Sequence, residues 1–181
     1  CYGFANFFDR VALWPDQVTG SQLERGVAFI AQSGTISISM MSQRRSLPLG
    51  YVISLGNQQR LAAEDLIRYC AEDERVSAIG LYLEGILDLP KFIAAIDYAR
   101  TLGKPIALIK AGSSEKGRSA ANTHTGALTG SDSLHDALFE RLGIARCETL
   151  SSLVETLKLL HCFGPLPSKR ILVFGASGGD M

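Results

Sequence analysis

A chain of 181 residues is long enough for one well-buried domain with short appendages. Lys plus Arg and Asp plus Glu balance at 18 each, which excludes the basic field of a nucleic-acid binder and the acidic block of a disordered tail. The four cysteines, Cys1, Cys70, Cys147 and Cys162, form no CxxC pair and argue against a zinc knuckle or a disulfide framework; with no apolar run near ~18 residues and no signal-peptide pattern, neither a membrane span nor secretion is expected, and a cytoplasmic location fits best.

Residues 1–25 read as a tail and a loop, with Trp14-Pro15 marking an extended or turn segment. From Gly26 short apolar runs alternate with amphipathic ones, as strands joined by helical crossovers do. The spacing predicts strands at 26–31, 51–55, 76–83 and 105–110, with helices at 35–44, 62–70 and 89–102 between them. The third helix stops at Gly103 with Pro105 just beyond, a left-handed stop followed by a helix breaker. After a polar stretch at 111–131, a helix at 132–142, a short strand at 144–147 and a helix at 150–160 follow. This order predicts an α/β fold, a doubly wound, mostly parallel sheet of flavodoxin-like type, with its sites at the carboxyl ends of the strands. Phe163-Gly-Pro-Leu-Pro-Ser168 carries a linker signal, and Ile171-Leu-Val-Phe-Gly-Ala-Ser-Gly-Gly179 reads as the strand and phosphate-loop start of a further unit. The opening Cys1 and the stop after that motif read as the edges of a longer protein.

Chemistry-bearing residues gather at the predicted strand ends. His124, between Thr123 and Thr125 with Gly126 next, sits in a long polar loop; it is either a solvated bystander or an accessible nucleophile, base or ligand. Ser33-Gly34-Thr35 closes the first strand and opens a helix, so it is either an ordinary cap or a seat where free N–H groups meet a phosphate. Glu84 ends the third strand, either solvated or placed to orient an imidazole. Asn57 shapes a turn or donates to a ligand, and Lys110 meets an anion or snorkels to solvent. His135 and His161 fall on helices and read as structural.

Five segments in order resemble one family: Gly26-Val-Ala-Phe-Ile-Ala-Gln-Ser-Gly-Thr35, Val52-Ile-Ser-Leu-Gly-Asn57, Leu81-Tyr-Leu-Glu-Gly85, Lys104-Pro-Ile-Ala-Leu-Ile-Lys-Ala-Gly112 and Thr123-His-Thr-Gly-Ala-Leu-Thr-Gly-Ser-Asp132. They are similar to the second domain of the nucleoside-diphosphate-forming acyl-CoA synthetases, among them ADP-forming acetyl-CoA synthetase and the succinyl-CoA synthetase alpha subunit. The resemblance implies that His124 is transiently phosphorylated, that Glu84 is its acidic partner, and that Ser33, Gly34, Thr35, Thr125 and Gly126 hold the phosphoryl group. Asn57 is carried over as a cofactor-binding position, although Gln58-Gln59 follow it where an acidic residue is expected. It further implies residues 1–25 as the tail of a preceding CoA-binding domain, 26–162 as the phosphohistidine domain, and 163–181 as a linker and first strand of a following domain. The reaction implied is acid, CoA and ATP to acyl-CoA, ADP and phosphate, with CoA, ATP/ADP and Mg2+ as cofactors of the full enzyme. Its partners are the CoA-binding and ATP-grasp domains and a small carboxylic acid, and dimerisation through this domain is a further expectation.

The competing reading is a non-catalytic CoA- or nucleotide-sensing module of a larger regulator such as an acyltransferase fusion, against which the pairing of His124 with Glu84 argues. A plain flavin-binding domain is weaker, because the first phosphate loop lacks the dense Ser/Thr run that FMN would call for.

Overall fold

Strands rich in β-branched and aromatic residues, separated by amphipathic stretches too short to fold alone, have one way to hide both faces of a sheet: helices on either side. The computed structural model, which describes residues 2–112 and 132–166 together with 168, 170 and 172, realises this arrangement. In chain order the elements are β1 (Gly3–Asn6), β2 (Val11–Leu13), β3 (Gly26–Ala31), α1 (Gly34–Ser42), β4 (Leu49–Ser54), α2 (Ala63–Glu72), β5 (Val76–Leu83), α3 (Leu89–Thr101), β6 (Ile106–Lys110), α4 (Asp132–Arg141), β7 (Ala145–Arg146) and α5 (Leu150–Phe163).

The sheet runs β2-β1-β4-β3-β5-β6-β7. From β4 to β7 all pairings are parallel, and β1 joins β4 antiparallel, with Phe4 opposite Ile53 and Asn6 opposite Tyr51. Counting only the parallel strands, the order is second, first, third, fourth, fifth, the flavodoxin-like winding, whose switch point lies between β3 and β5. Every residue of β3 is buried, and its side chains alternate between two cores. Val27, Phe29 and Ala31 pack with Met40 of α1 and Leu153 and Leu157 of α5. Ala28 and Ile30 face Ile67 of α2, Phe92 and Ile96 of α3 and Phe139 of α4. Gly80 in β5 lets α5 approach, since a Cβ there would stand 2.6 Å from Leu157 Cδ1 and 3.2 Å from Phe29 Cδ2.

The predicted strands and helices are found within a few residues of their expected bounds, and Gly103 turns α3 off at φ 68°. The tail and loop expected over 1–25 differ: β1 and β2 add two antiparallel strands to the sheet edge. Strands of four and three residues containing Gly3 and Asn6 carry too short a pattern to be read; what forms them is tertiary. Phe8 sits against Gly50, and Arg75 binds Asp9 at 2.8 Å while lying over the Phe8 ring at 4.6 Å. The last helix extends to Phe163, a turn past the expected end, and stops at Gly164. The strand read from Ile171 lies largely outside the described residues. Among the described residues no helix is long and apolar enough to cross a membrane.

Candidate functional site

The carboxyl ends of β3 and β5 flank the switch point, where open parallel sheets place their ligand crevice. After Ala31 the backbone continues through Gln32, whose N–H donates to the Tyr82 carbonyl at 3.0 Å, and then breaks into α1. Ser33 takes the extended conformation of an N-cap, φ −99° and ψ 122°, and its Oγ accepts from the Ile36 N–H at a long 3.4 Å. None of the described residues accepts from the amides of Gly34 or Thr35. The first turn of α1 also carries no acidic side chain, so the positive end of the helix dipole is uncompensated there. A Cβ at 34 would stand 2.4 Å from Tyr2 Cδ2, so a side chain there would have to displace the exposed Tyr2 ring. The Ser33-Gly34-Thr35 segment is thus a cap whose first two amides are free of partners among the described residues.

Across the crevice, Glu84 is half-buried and its backbone is tied at both ends. Its N–H and that of Gly85, the latter at 2.9 Å, both donate to Gln32 Oε1. Its carbonyl accepts from Lys110 Nζ at 2.7 Å, and the same ammonium binds the Ala111 carbonyl at 2.7 Å. Gln58 Nε2 donates to the Gly85 carbonyl at 3.4 Å while its Oε1 accepts from the Ala63 N–H at 2.8 Å, so the loop after β4 is pinned to the same turn. No described residue donates to the Glu84 carboxylate. Its charge is felt by Tyr82, whose phenol is pushed up chiefly by burial and secondarily by that carboxylate.

The sequence leaves Lys110 either meeting an anion or reaching solvent; among the described residues it does neither. It is buried, its partners are backbone carbonyls, and burial, helped by the nearby Arg146 charge, holds its ammonium below the usual lysine range. The chain leaves β6 here, with the Ala111 N–H on the Leu83 carbonyl at 2.8 Å, and is described again at Asp132, whose carboxylate Arg146 holds at 2.5 Å. His124, Thr125 and Gly126 lie outside the described residues.

Asn57 is not drawn into this crevice. It is exposed at the rim of a separate groove of about 790 Å³ whose walls include Phe4, Ile53, Leu66 and Tyr69. His135 stacks on Phe139 with ring centroids 5.9 Å apart, and His161 Nδ1 lies 2.6 Å from Ser77 Oγ, so both serve packing, as their helical positions suggest. Three residues at the crevice escaped the sequence reading or were left open by it: Gln32, Gln58 and Lys110. The available signal was a polar side chain at the carboxyl end of an apolar strand, which Gln32 and Lys110 share. Among the described residues no group of three or more His, Cys, Asp or Glu side chains gathers to hold a metal ion.

Comparison with known proteins supplies a context for this geometry. A family model described as the succinyl-CoA ligase like flavodoxin domain matches residues 24–160. The chain is 33% identical over 156 residues to an ADP-forming acetate–CoA ligase of Methanocaldococcus jannaschii, which covers 85% of this chain and 22% of that protein. It is 32% identical over 182 residues to the ADP-forming 4-hydroxybutyrate–CoA ligase of Nitrosopumilus maritimus, covering 99% of this chain and 26% of that protein. Among solved structures, the dinucleotide-forming acetyl-coenzyme A synthetase 1 of Ca. Korarchaeum cryptofilum, in complex with phosphate and ADP, superposes with a TM-score of 0.78 at 29% identity, over 88% of this chain and 35% of that one. The chain therefore spans between about a fifth and about a third of the length of these relatives.

Proposed function

Because the chain belongs to the succinyl-CoA ligase like flavodoxin domain family, we propose that it is the phosphohistidine-carrying domain of a nucleoside-diphosphate-forming acyl-CoA synthetase. In this reading the larger enzyme converts a carboxylic acid, CoA and ATP to acyl-CoA, ADP and phosphate, and residues 26–162 form the carrier domain. The relatives named as ADP-forming ligases support the reaction class and disfavour a purely sensing module. The observation that carries the proposal is the convergence at the switch point of two open amides at the α1 N-terminus with Glu84, tied together through Gln32.

The work assigned to this chain is to take up a phosphoryl group and hold it. A ring nitrogen of His124 attacks phosphorus, and the bond from phosphorus to the leaving oxygen breaks with its electron pair going to that oxygen. The other ring N–H donates to the Glu84 carboxylate, which fixes the tautomer and stabilises the positive charge on the imidazole. The dianionic product rests against the Gly34 and Thr35 amides, where preoriented donors and the helix dipole favour negative charge. Passing the phosphoryl group to a substrate carboxylate oxygen returns the neutral imidazole. CoA, nucleotide and Mg2+ are assigned to CoA-binding and ATP-grasp parts of the enzyme; the described residues of this chain offer no metal cluster of their own.

The test uses the product of the complete gene with γ-labelled ATP and magnesium. An acid-labile, base-stable label is expected on the wild type, absent from His124→Asn, and discharged by a carboxylic acid plus CoA. A wild type that stays unlabelled from both ATP and acyl phosphate refutes the carrier reading.

A further inference from the structure

Gln32 is 7% exposed, and a buried amide side chain must have its polar atoms accounted for. Its oxygen is accounted for twice, by the N–H groups of Glu84 and Gly85. Two N–H donors on one atom settle which end of the amide is oxygen, because an NH2 there would face two donors with no lone pair to accept them. The Nε2 end is thereby fixed in the same plane, and no described residue accepts from it. Every sealed side-chain nitrogen or oxygen among the described residues has a partner. Nε2, for which no described residue accepts, is therefore not sealed: it keeps accessible surface at the carboxyl end of β3. Two and three residues further on stand the unpartnered amides of Gly34 and Thr35, and Glu84 lies on the neighbouring strand end.

We propose that Gln32 is a phosphoryl-binding residue: the Glu84–Gly85 turn holds its Oε1 so that the Nε2 donor joins the Gly34 and Thr35 amides around the same anion. This rests on the carrier reading and adds to it a side-chain donor on the strand itself. Glutamine suits the position because it presents an acceptor to the turn and a donor to the anion at once. The remaining clamp keeps that geometry: Lys110 and Gln58 hold the carbonyls of Glu84 and Gly85, so the turn that orients Gln32 is fixed from behind.

Gln32→Glu separates the two ends of this side chain. It keeps the acceptor that pins the turn and replaces the donor with a second anionic oxygen, whereas Gln32→Met removes both. In the full-length enzyme, the phosphorylated fraction at a fixed ATP/ADP ratio is measured beside the unfolding temperature. Loss of a hydrogen bond to a charged group corresponds to about 10- to 150-fold, so the ratio of phosphorylated to free enzyme is expected to fall by that factor or more in Gln32→Glu, with unfolding close to wild type. A Gln32→Glu enzyme that keeps the wild-type ratio overturns the proposal and leaves Gln32 as a positioning residue for Glu84. An unlabelled wild type refutes the carrier reading itself and this inference with it. A second measurement does not depend on the variant folding: with side-chain-labelled glutamine in the wild type, the Gln32 amide protons are expected to shift on titration with inorganic phosphate, and their failure to move overturns the proposal.

Discussion

Glu84→Gln divides the two jobs that this residue holds. Its backbone belongs to the scaffold: the N–H is on Gln32 Oε1 and the carbonyl on Lys110 Nζ at 2.7 Å, and neither bond depends on the side chain. Its carboxylate meets no donor among the described residues, so the substitution should change stability by no more than about 0.5 kcal/mol, the range of changes away from buried networks. On the carrier proposal, what it removes is the charge assigned to the His124 imidazole, and a hydrogen bond to a charged group contributes about 1.5–3 kcal/mol, or about 10- to 150-fold in rate. Gln still accepts from an N–H, so Glu84→Ala should show the upper part of that range and Glu84→Gln the lower. Quenched-flow labelling from γ-labelled ATP gives the rate, and thermal unfolding of the same samples gives stability. A third readout reports the carboxylate's place directly: the Tyr82 phenol is raised mainly by burial and in part by the Glu84 charge, so its titration should move down in the variant. Labelling at the wild-type rate would refute the orienting role, and a Tyr82 titration that does not move would refute the placement of the charge.

Two further outcomes test the scaffold. Gly80→Val forces new methyl groups into the space now held by Leu157 Cδ1 and Phe29 Cδ2, so it should destabilise by about 1–3 kcal/mol in urea unfolding, and Leu157→Ala in the same chain should recover part of the loss. The His161 imidazole is held below its ordinary pKa by burial and then by Arg25, so the folded state binds fewer protons than the unfolded one; stability should be full above pH 6.5 and decline as pH falls below it, with a smaller decline in His161→Gln.

The fold was legible because its rules are local. Apolar runs of five to eight residues between helical spacings announce a parallel sheet, and the Gly103 stop fixed the end of α3 from sequence alone. The edge strands β1 and β2 were not, since their residues are made extended by Phe8 on Gly50 and by Arg75 reaching Asp9, contacts between segments more than forty residues apart. At the switch point, the positions of Ser33, Gly34, Thr35 and Glu84 at a helix start and a strand end were legible because those are local features. Gln32 and Lys110 were visible as polar residues at the carboxyl ends of apolar strands, yet their partners include backbone atoms just beyond another strand, and a sequence pattern carries no record of a backbone partner.

The direction of those hidden bonds bears on the mechanism. A buried ammonium is costly, and the depressed pKa of Lys110 records that cost. If the fold needed only to satisfy the Glu84 carbonyl, a parallel sheet has neutral donors that do so at less expense. Here a lysine and two glutamines converge on the main chain of Glu84 and Gly85, while none of the described residues engages the Glu84 carboxylate. Such an arrangement holds the base of the side chain rigid and leaves its charge available, which is what preorganised stabilisation of a developing cation requires. A purely structural glutamate would show the reverse, with its carboxylate bound and its backbone left to the sheet.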